Sequence, residues 1–395
     1  MINILDITKS KCSGCYACAA KCPQKCISMK VDDEGFWYPT IDSSKCINCG
    51  ICEKTCPIFN NQTCENTSER AFAVINKNDR IRLNSSSGGV FTLLAEKILD
   101  CGGVVFGAAF TPDFKSVDHI DIHNKSQLYL LMGSKYLQSR IGDAYLQVEK
   151  YLKENKKVLF SGTPCQISGL YAYLGKDYDN LITQDIICHG VPSPLVWKKY
   201  VDLRENKANS TVDSIFFREK KNGWKNFSLK FIFKTGKKYT QVISKDLYMR
   251  GFLTNLYLRP SCYDCSFKSE NRIADITLAD FWGIENINSK MNDDKGTSLI
   301  LVNTTKAIEL FEKIKNDIVF CDVDKSKALK YNIAATKSAN MHKKRNAFMQ
   351  DFQILKFEKL IKKYCGEKFF VKIKFYFKRI LKKFLKLVVG GRNGI

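Results

Sequence analysis

Two short runs of cysteine near the start of the chain constrain its fold more than any other feature. Each run has the spacing C-x-x-C-x-x-C-x-x-x-C-P, and nine of the 17 cysteines lie before residue 60. Soft thiolates at this spacing are typical ligands of 4Fe-4S clusters, and the cysteine before the proline binds the cluster of the other run. The predicted ligand sets are therefore Cys12, Cys15, Cys18 and Cys56 for one cluster, and Cys46, Cys49, Cys52 and Cys22 for the other.

The alternatives for these runs are zinc and oxidised cysteines. Zinc modules use two separated ligand pairs rather than two runs of four. The pattern therefore favours a small α+β ferredoxin domain of the bacterial type, residues 1–62, with small strands between Ile27 and Ile41. Cys26 and Cys64 lie off the pattern and are interpreted as packing or surface cysteines.

The formal net charge of +23 is unevenly distributed. Residues 1–62 carry seven Lys against six acidic residues, whereas residues 356–395 carry thirteen Lys or Arg against two Glu. RNA-binding signatures with interleaved aromatic residues are absent, so no nucleic-acid partner is predicted. The clusters require reduced thiolates, and the sequence shows neither a secretory signal nor a bilayer-length apolar run, so a cytoplasmic location is expected.

After a polar linker at residues 60–70, apolar segments alternate between the strand and helix periods up to Ile314. Strand–loop–helix repetition predicts a mixed α/β domain. We divide this domain into an N-terminal part, residues 71–150, and a C-terminal part, residues 151–340. Sheets of this kind bind ligands at the carboxyl ends of their strands.

Four further cysteines fall on loops at that predicted ligand edge: Cys165, Cys188, Cys262 and Cys265. Cys165 follows a predicted strand and opens a helix, where the helix dipole stabilises a thiolate. The spacing leaves four interpretations open: a third 4Fe-4S cluster, a zinc site, a redox dithiol pair, or unconnected cysteines.

Seven segments make the chain recognisable: NSSSGGVFTLLAE (84–96), GSKYLQS (133–139), SGTPCQISGL (161–170), ICHGVPSP (187–194), FFREKKNGW (216–224), CYDC (262–265) and ADITLADFWG (274–283). In this order they resemble the coenzyme F420 hydrogenase/dehydrogenase beta-subunit family, in the form preceded by a two-cluster ferredoxin domain. The resemblance implies FAD and a cluster held by cysteines of the α/β domain, which favours the third cluster. Ala279 departs from the glycine common in the family's last motif.

The segment before the helix at 90–99 is the predicted FAD phosphate site. Taken alone, its residues indicate an N-cap and a flexible turn. With the resemblance, serine hydroxyls, two glycines and free helical N–H groups become a cradle for a pyrophosphate. The candidate contacts are Ser85, Ser86, Ser87, Gly88 and Gly89.

Two further residues are candidates on the same grounds. Lys135 is a second phosphate contact or otherwise a surface lysine. His189 is a proton donor near flavin or substrate, or otherwise a residue that hydrogen-bonds its loop. No G-x-G-x-x-G follows a strand, so no Rossmann nicotinamide site is predicted.

The last forty residues, 356–395, carry apolar residues at helical spacing opposite a row of lysines. This pattern predicts a basic amphipathic helix, which either lies in a membrane interface or packs on the core. The apolar stripe consists of Phe369, Ile373, Phe377, Ile380, Leu381, Phe384 and Val388.

Taken together, the sequence predicts an iron–sulfur flavoprotein oxidoreductase with a ferredoxin-like redox partner. It would pass electrons between 4Fe-4S clusters and FAD and on to a small molecule, such as a deazaflavin of the coenzyme F420 type. Family members of this layout are often associated with surface-polysaccharide synthesis, and the basic helix suits an anionic membrane on its inner face. The alternative is a non-catalytic electron-transfer subunit that docks onto a separate enzyme.

Overall fold

The computed structural model describes residues 7–60 and 70–365. The first range, here called the ferredoxin module, consists of α1 (Ala17–Lys21), β1 (Ile27–Val31), β2 (Trp37–Ile41) and α2 (Ile51–Lys54). The two strands form an antiparallel hairpin in which Ile27 pairs with Ile41, as predicted. Each helix carries the third cysteine of its run.

The second range is built on two sheets. Its strands are β3 (Arg70–Asn76), β4 (Val104–Phe110), β5 (Val117–Ile122), β6 (Val158–Gly162), β7 (Leu181–Ile186), β8 (Val212–Glu219), β9 (Ser228–Phe233), β10 (Lys238–Val242), β11 (Ile276–Asp280), β12 (Ser298–Val302) and β13 (Ile318–Val323). Eight of them form one mixed sheet in the order β13-β3-β12-β11-β7-β6-β4-β5. Strands β11, β7, β6 and β4 are mutually parallel, so their carboxyl ends share one edge. The other three form an antiparallel sheet in the order β10-β9-β8.

The α-helices of this range cover both sheets. They are α3 (Asp79–Asn84), α4 (Val90–Asp100), α5 (Leu128–Leu131), α6 (Ala144–Lys153), α7 (Pro164–Leu174), α8 (Pro194–Ala208), α9 (Leu247–Leu253), α10 (Thr305–Ile314), α11 (Lys325–Leu329), α12 (Arg345–Phe352) and α13 (Phe357–Cys365). Helices α4 and α10 pack on the face of the large sheet that presents Val105. Helices α6 and α7 pack on the opposite face, which presents Phe106. This alternation is the two-residue period of a strand buried on both sides.

A third core lies between the small sheet and helices α8, α9, α12 and α13. It is rich in aromatic side chains, with Trp197 and Tyr248 at its centre, their ring centroids 4.8 Å apart. Aromatic residues bury large areas and pack edge to face. This core fixes the position of β8 and the loop after α9, both of which contribute to the site described below.

The predicted mixed α/β class is confirmed, with small shifts at element ends. The helix expected from about Gln166 begins at Pro164, because a proline suits the first turn and Thr163 and Gln166 form a capping box. The strand expected to reach Cys188 ends at Ile186, which leaves Cys188 in a loop. The helices α3, α9, α11 and α12 are short, and the sequence pattern did not indicate them.

Only the start of the predicted basic helix is described. Helix α13 buries Phe357, Leu360 and Ile361 in the aromatic core, so over this stretch the helix packs on the protein. The apolar stripe from Phe369 to Val388 lies outside the described residues, as does most of the linker at 60–70. Within the described ranges, none of the helices has the length and apolar character needed to cross a bilayer.

Candidate cofactor sites

The two cysteine runs adopt the same loop backbone. Gly14 and Tyr16 in the first run have φ angles of 66° and 71°, and the equivalent Asn48 and Gly50 in the second have 51° and 70°. Left-handed backbone is uncommon for a tyrosine, so its repetition at equivalent positions reflects a shared requirement. Turns that alternate in hand point successive N–H groups to one side, an arrangement that binds anions. Each loop can therefore present N–H groups to cluster sulfurs.

One cavity in the ferredoxin module, here called the inner site, brings together Cys12, Cys15, Cys18 and Cys56. This is the grouping that the crossed ligand assignment requires. Burial raises the pKa of the Cys15 thiol to about 12, and it also raises the pKa of Cys18. Thiolates that are buried side by side need a cation among them. The residues therefore fit an iron–sulfur cluster.

The other four predicted ligands of the module, here called the outer site, lie nearer to solvent. Cys49 is exposed, and Cys22, Cys46 and Cys52 are half-buried. Cys26 is buried beside them, with its Sγ 3.3 Å from the Sγ of Cys22. The structure thus adds a fifth cysteine to this group, and nothing in the C-x-x-C spacing signals it.

The second cysteine set meets at one cleft, here called the edge cleft. Cys165, Cys188, Cys262 and Cys265 all line it. Cys165 opens α7 directly after β6, Cys188 follows β7, and the other two lie in and after a single 3-10 turn, Pro260–Asp264. The four cysteines are therefore brought together in space at the carboxyl edge of the parallel strands.

The surroundings of these thiols are those of an anionic group. Burial raises the pKa of Cys188, and it raises the pKa of Cys262 to about 12. The N–H of Val191 donates to the Sγ of Cys262 at 3.4 Å, and the Lys268 ammonium donates to the carbonyl of Cys188. Among the residues that the structure describes, no three His, Cys, Asp or Glu side chains surround a position for a single metal ion. Buried thiols with N–H and ammonium donors fit a cluster that carries net negative charge.

The edge cleft adjoins the ferredoxin module. Lys11 and Ser13 of the module line it. On α7, Gly169 lies so close to Cys15 that a Cβ on the glycine would be 2.9 Å from the Cys15 Cβ. Helix α7 therefore carries Cys165 in its first turn and contacts Cys15 one turn later, which joins the edge cleft to the inner site.

Sequence reasoning missed two buried residues between these sites. The Tyr145 hydroxyl donates to the carbonyl of Gln166 at 2.7 Å. The Arg259 guanidinium donates to the carbonyl of Cys12 at 2.9 Å. Neither residue belongs to a metal-ligand spacing, and the one available signal was the position of Arg259 three residues before Cys262.

The predicted phosphate cradle lies at the start of α4, but its hydroxyls already have protein partners. Those of Ser85 and Ser87 donate to backbone carbonyls, and that of Ser86 accepts from the N–H of Ser134 at 2.7 Å. The donors left for a phosphate are thus backbone N–H groups rather than serine side chains.

The two glycines of the cradle have different reasons for lacking a side chain. A Cβ on Gly88 would lie 2.4 Å from the carbonyl oxygen of Val74, so this glycine allows close packing on β3. Gly89, with φ of 83°, precedes α4 in the left-handed region, and no side chain caps the helix there. The uncapped N-terminus of α4 fits an anionic phosphate through its N–H groups.

Lys135 is not a free surface lysine. Its ammonium donates to the carbonyls of Leu130 and Met132 at 2.9 and 3.0 Å. Burial lowers the pKa of Lys135 to about 7. A contact between Lys135 and a phosphate would require the side chain to leave these carbonyls.

Motifs that are far apart in sequence meet beside the cradle. Arg218 and Asp280 form a two-fold ion pair at 2.9 and 3.1 Å, and the indole N–H of Trp224 donates to the same carboxylate. The ammonium of Lys220 donates to the carbonyl of Ser87 at 2.7 Å. These contacts join FFREKKNGW to ADITLADFWG and to NSSSGG around one place on the sheet edge.

His189 lies on the rim of the edge cleft. Its Nε2 is 2.6 Å from Oδ1 of Asn255, and its ring meets Phe252 edge to face. The position suits a proton donor to a molecule in the cleft, and the hydrogen bond equally suits a role in holding the loop.

Buried thiol sites in a two-fold ferredoxin module, next to a second thiol site on an α/β sheet edge, define an iron–sulfur electron-transfer protein of the oxidoreductase class. Residues 155–327 belong to the family described as the C-terminal part of the coenzyme F420 hydrogenase/dehydrogenase beta subunit, and residues 11–60 match the 4Fe-4S dicluster domain. The resemblance noted from the sequence motifs is thereby confirmed.

Individual relatives cover parts of the chain. A subunit of NADH-quinone oxidoreductase from Geobacter metallireducens is 41% identical over 56 residues, 13% of this chain and 43% of the relative. The VorC subunit of ketoisovalerate oxidoreductase from Methanothermobacter marburgensis is 34% identical over 56 residues, 14% of this chain and 71% of the relative. An uncharacterised protein of Methanocaldococcus jannaschii is 26% identical over 202 residues, 44% of this chain and 55% of the relative. The chain spans about half the length of two of these relatives.

Among solved structures, a chain of the F420-reducing [NiFe] hydrogenase complex from Methanosarcina barkeri is similar, with 15% identity and a TM-score of 0.44. The match covers 69% of this chain and 93% of that chain.

Proposed function

We propose that the chain is an iron–sulfur flavoprotein oxidoreductase that passes electrons between 4Fe-4S clusters and FAD and on to a bound small molecule. The observation that carries this proposal is the edge cleft, where Cys165, Cys188, Cys262 and Cys265 meet and which Ser13 of the ferredoxin module also lines. A second thiol site thus adjoins a module of one-electron carriers at the ligand-binding edge of the sheet.

We assign the edge cleft to a third 4Fe-4S cluster and order the three sites by exposure and contact. Cys49 of the outer site is exposed, so this site is where an external redox partner exchanges electrons. Cys15 of the inner site contacts Gly169 of α7, which places the inner site next to the cleft. The order is therefore outer site, inner site and edge cleft, and electrons can travel along it in either direction.

The protein's own residues hold and neutralise these groups. The cysteines supply thiolates, while Lys11, Arg259 and Lys268 line the edge cleft with positive charge. Nearby cations favour the thiolate form and offset the net charge of a cluster. FAD, when bound, supplies the conversion between single electrons and a two-electron reaction of the substrate.

The FAD phosphates are proposed to bind at the N-terminus of α4, after Gly89. Support comes from the uncapped helix end and from Lys220, whose ammonium bonds the carbonyl of Ser87. The substrate is proposed to be a deazaflavin of the coenzyme F420 type or another small molecule, in a setting such as surface-polysaccharide synthesis, with His189 as the candidate proton donor. Ser85 and Ser87 would hold the loop rather than the ligand.

Anaerobic purification followed by iron, sulfide and flavin analysis tests the proposal. We expect about twelve iron atoms and about one FAD per chain, since each cluster contains four irons. The double variant C262A/C265A should lose about four irons and keep about eight. The control C101A removes an exposed cysteine that lines neither cavity, and it should keep all of them. Full iron content in the double variant, or wild-type protein without flavin, would contradict the proposal.

A second candidate function is that of an electron-transfer subunit without a substrate site of its own. It is favoured by the two relatives that match the ferredoxin module, both of which are named as subunits of oxidoreductases. A stable complex on native pull-down, together with no turnover by the isolated cluster-loaded chain, would establish it in place of the first.

A further inference from the structure

Arg259 is a buried cation that touches the inner site. It is 1% exposed, and its guanidinium donates to the carbonyl of Cys12 at 2.9 Å and to that of Trp37 at 2.9 Å. A third bond runs to Oε1 of Gln138 at 3.0 Å. One nitrogen, Nη2, lies 3.9 Å from the Sγ of Cys12 itself.

This cation has neutral hydrogen-bond partners only. Among the residues that the structure describes, no Asp or Glu lies within ion-pair distance of the Arg259 guanidinium, in contrast to Arg272, which pairs with Asp185 at 2.6 Å. A buried charge without a counter-ion is strongly unfavourable. The neighbouring thiolates of the inner site are the anions available to stabilise it.

The same residue also belongs to the edge cleft. Its backbone N–H donates to the carbonyl of Val191 at 2.9 Å. It stands directly before the 3-10 turn that carries Cys262, and it lines the cleft. Arg259 therefore lies between the two thiol sites that electrons must cross.

We propose that Arg259 sets the reduction potential of the inner cluster by stabilising the extra negative charge of its reduced state. Adding one electron to a cluster with four thiolates increases its negative charge by one, and a desolvated guanidinium next to a ligand sulfur favours that state. Hydrogen bonds and charges near the sulfurs are recognised determinants of cluster potential. The residue is a positioning and potential-setting group, and the inference rests on the proposed function because it requires the clusters.

A purely structural role predicts something different. Gly14 lies against the guanidinium, where a Cβ would be 2.9 Å away, so Arg259 also fills the space between the module and the α/β domain. Loss of that packing would lower stability and leave the potential of a loaded cluster unchanged. The potential is therefore the readout that separates the two roles.

The test is an anaerobic redox titration of the full chain, followed by the electron paramagnetic resonance of the reduced clusters. In R259M, one cluster potential should become more negative, by about tenfold in the reduced-to-oxidised ratio, or about 59 mV for one electron. R259K should shift it less. Q138E places a carboxylate beside the guanidinium, so it should shift the same potential in the same direction as R259M. R204M changes a buried arginine that lies on Tyr239 instead, and it should leave all potentials as in wild type.

Unchanged potentials in both R259M and Q138E with full iron content would overturn the inference and leave the proposed function intact. If R259M does not load its iron, Q138E alone decides, and an unshifted potential there overturns the inference. A wild-type chain that shows no cluster signal would overturn the proposed function itself.

Discussion

Gly169 of α7 lies directly against Cys15 of the inner site, where a methyl group would come within 2.9 Å of the Cys15 Cβ and 3.1 Å of its Sγ. The close approach brings a ligand loop of the module onto the helix that also carries Cys165. The position requires a residue without a side chain because the third neighbour, the Tyr145 hydroxyl, is only 2.7 Å from the same point.

The variant G169A should therefore weaken the inner cluster. Overpacking of this kind costs about 1–3 kcal/mol, and here the strain falls on a ligand loop. We expect faster loss of about four irons to a chelator, measured as decay of the cluster absorbance under anaerobic conditions. The control G107A adds a methyl group that would meet only the flexible Leu131, at 3.3 Å. Equal decay rates in G169A and wild type would contradict the expectation.

A partly buried ion pair fastens the module to the last helices. Arg345 at the start of α12 donates to Glu34 at 2.9 Å, and the two side chains are 6% and 24% exposed. R345M should lower the free energy of unfolding by about 1–3 kcal/mol, because the Glu34 carboxylate loses a charged partner. Urea unfolding followed by circular dichroism measures the change. The control K207M breaks the exposed pair with Glu358 and should cost under about 1 kcal/mol. An R345M midpoint equal to that of wild type would mean that the pair does not hold the module.

Sequence alone predicted the features that local chemistry determines. Cluster ligands have fixed spacing, so Cys12 to Cys56 could be grouped before any coordinates, and the apolar periods located most strands. Contacts between distant segments could not be predicted in this way. Glu34 and Arg345 are 311 residues apart, and the guanidinium of Arg259 meets Cys12 across 247.

The phosphate cradle shows the same limit in another form. The segment SSSGG was placed correctly at a helix start, but its spacing could not show that Ser86 accepts from Ser134. Nor could it show that Lys135 turns to the carbonyls of Leu130 and Met132. Side-chain direction depends on tertiary neighbours, which a motif does not contain.

Lys135 should make stability depend on pH. Its pKa is lowered to about 7 by burial, whereas the unfolded value is about 10.4. Between these values the unfolded chain binds more protons, so the free energy of unfolding should rise with pH, by about 2 kcal/mol from about pH 7.5 to about pH 9. K135M should remove this rise in anaerobic urea unfolding, and the exposed control K150M should keep it. A wild-type chain whose stability is flat across this range would contradict the expectation. Flavin content of K135M answers a separate question, since loss of flavin would make Lys135 a phosphate contact.

The basic C-terminal segment should bind anionic membranes. Residues 367–395 contain nine Lys or Arg against one Glu, and each basic residue near an anionic surface contributes about 1 kcal/mol. The full chain should sediment with vesicles that contain phosphatidylserine, and high salt should release it. A chain that ends at residue 366 retains α13, whose apolar side chains are buried in the core, so it should stay folded and remain in the supernatant. Vesicles of phosphatidylcholine alone serve as the control for charge. Sedimentation of the truncated chain to the same extent as the full chain would show that the segment does not bind the membrane.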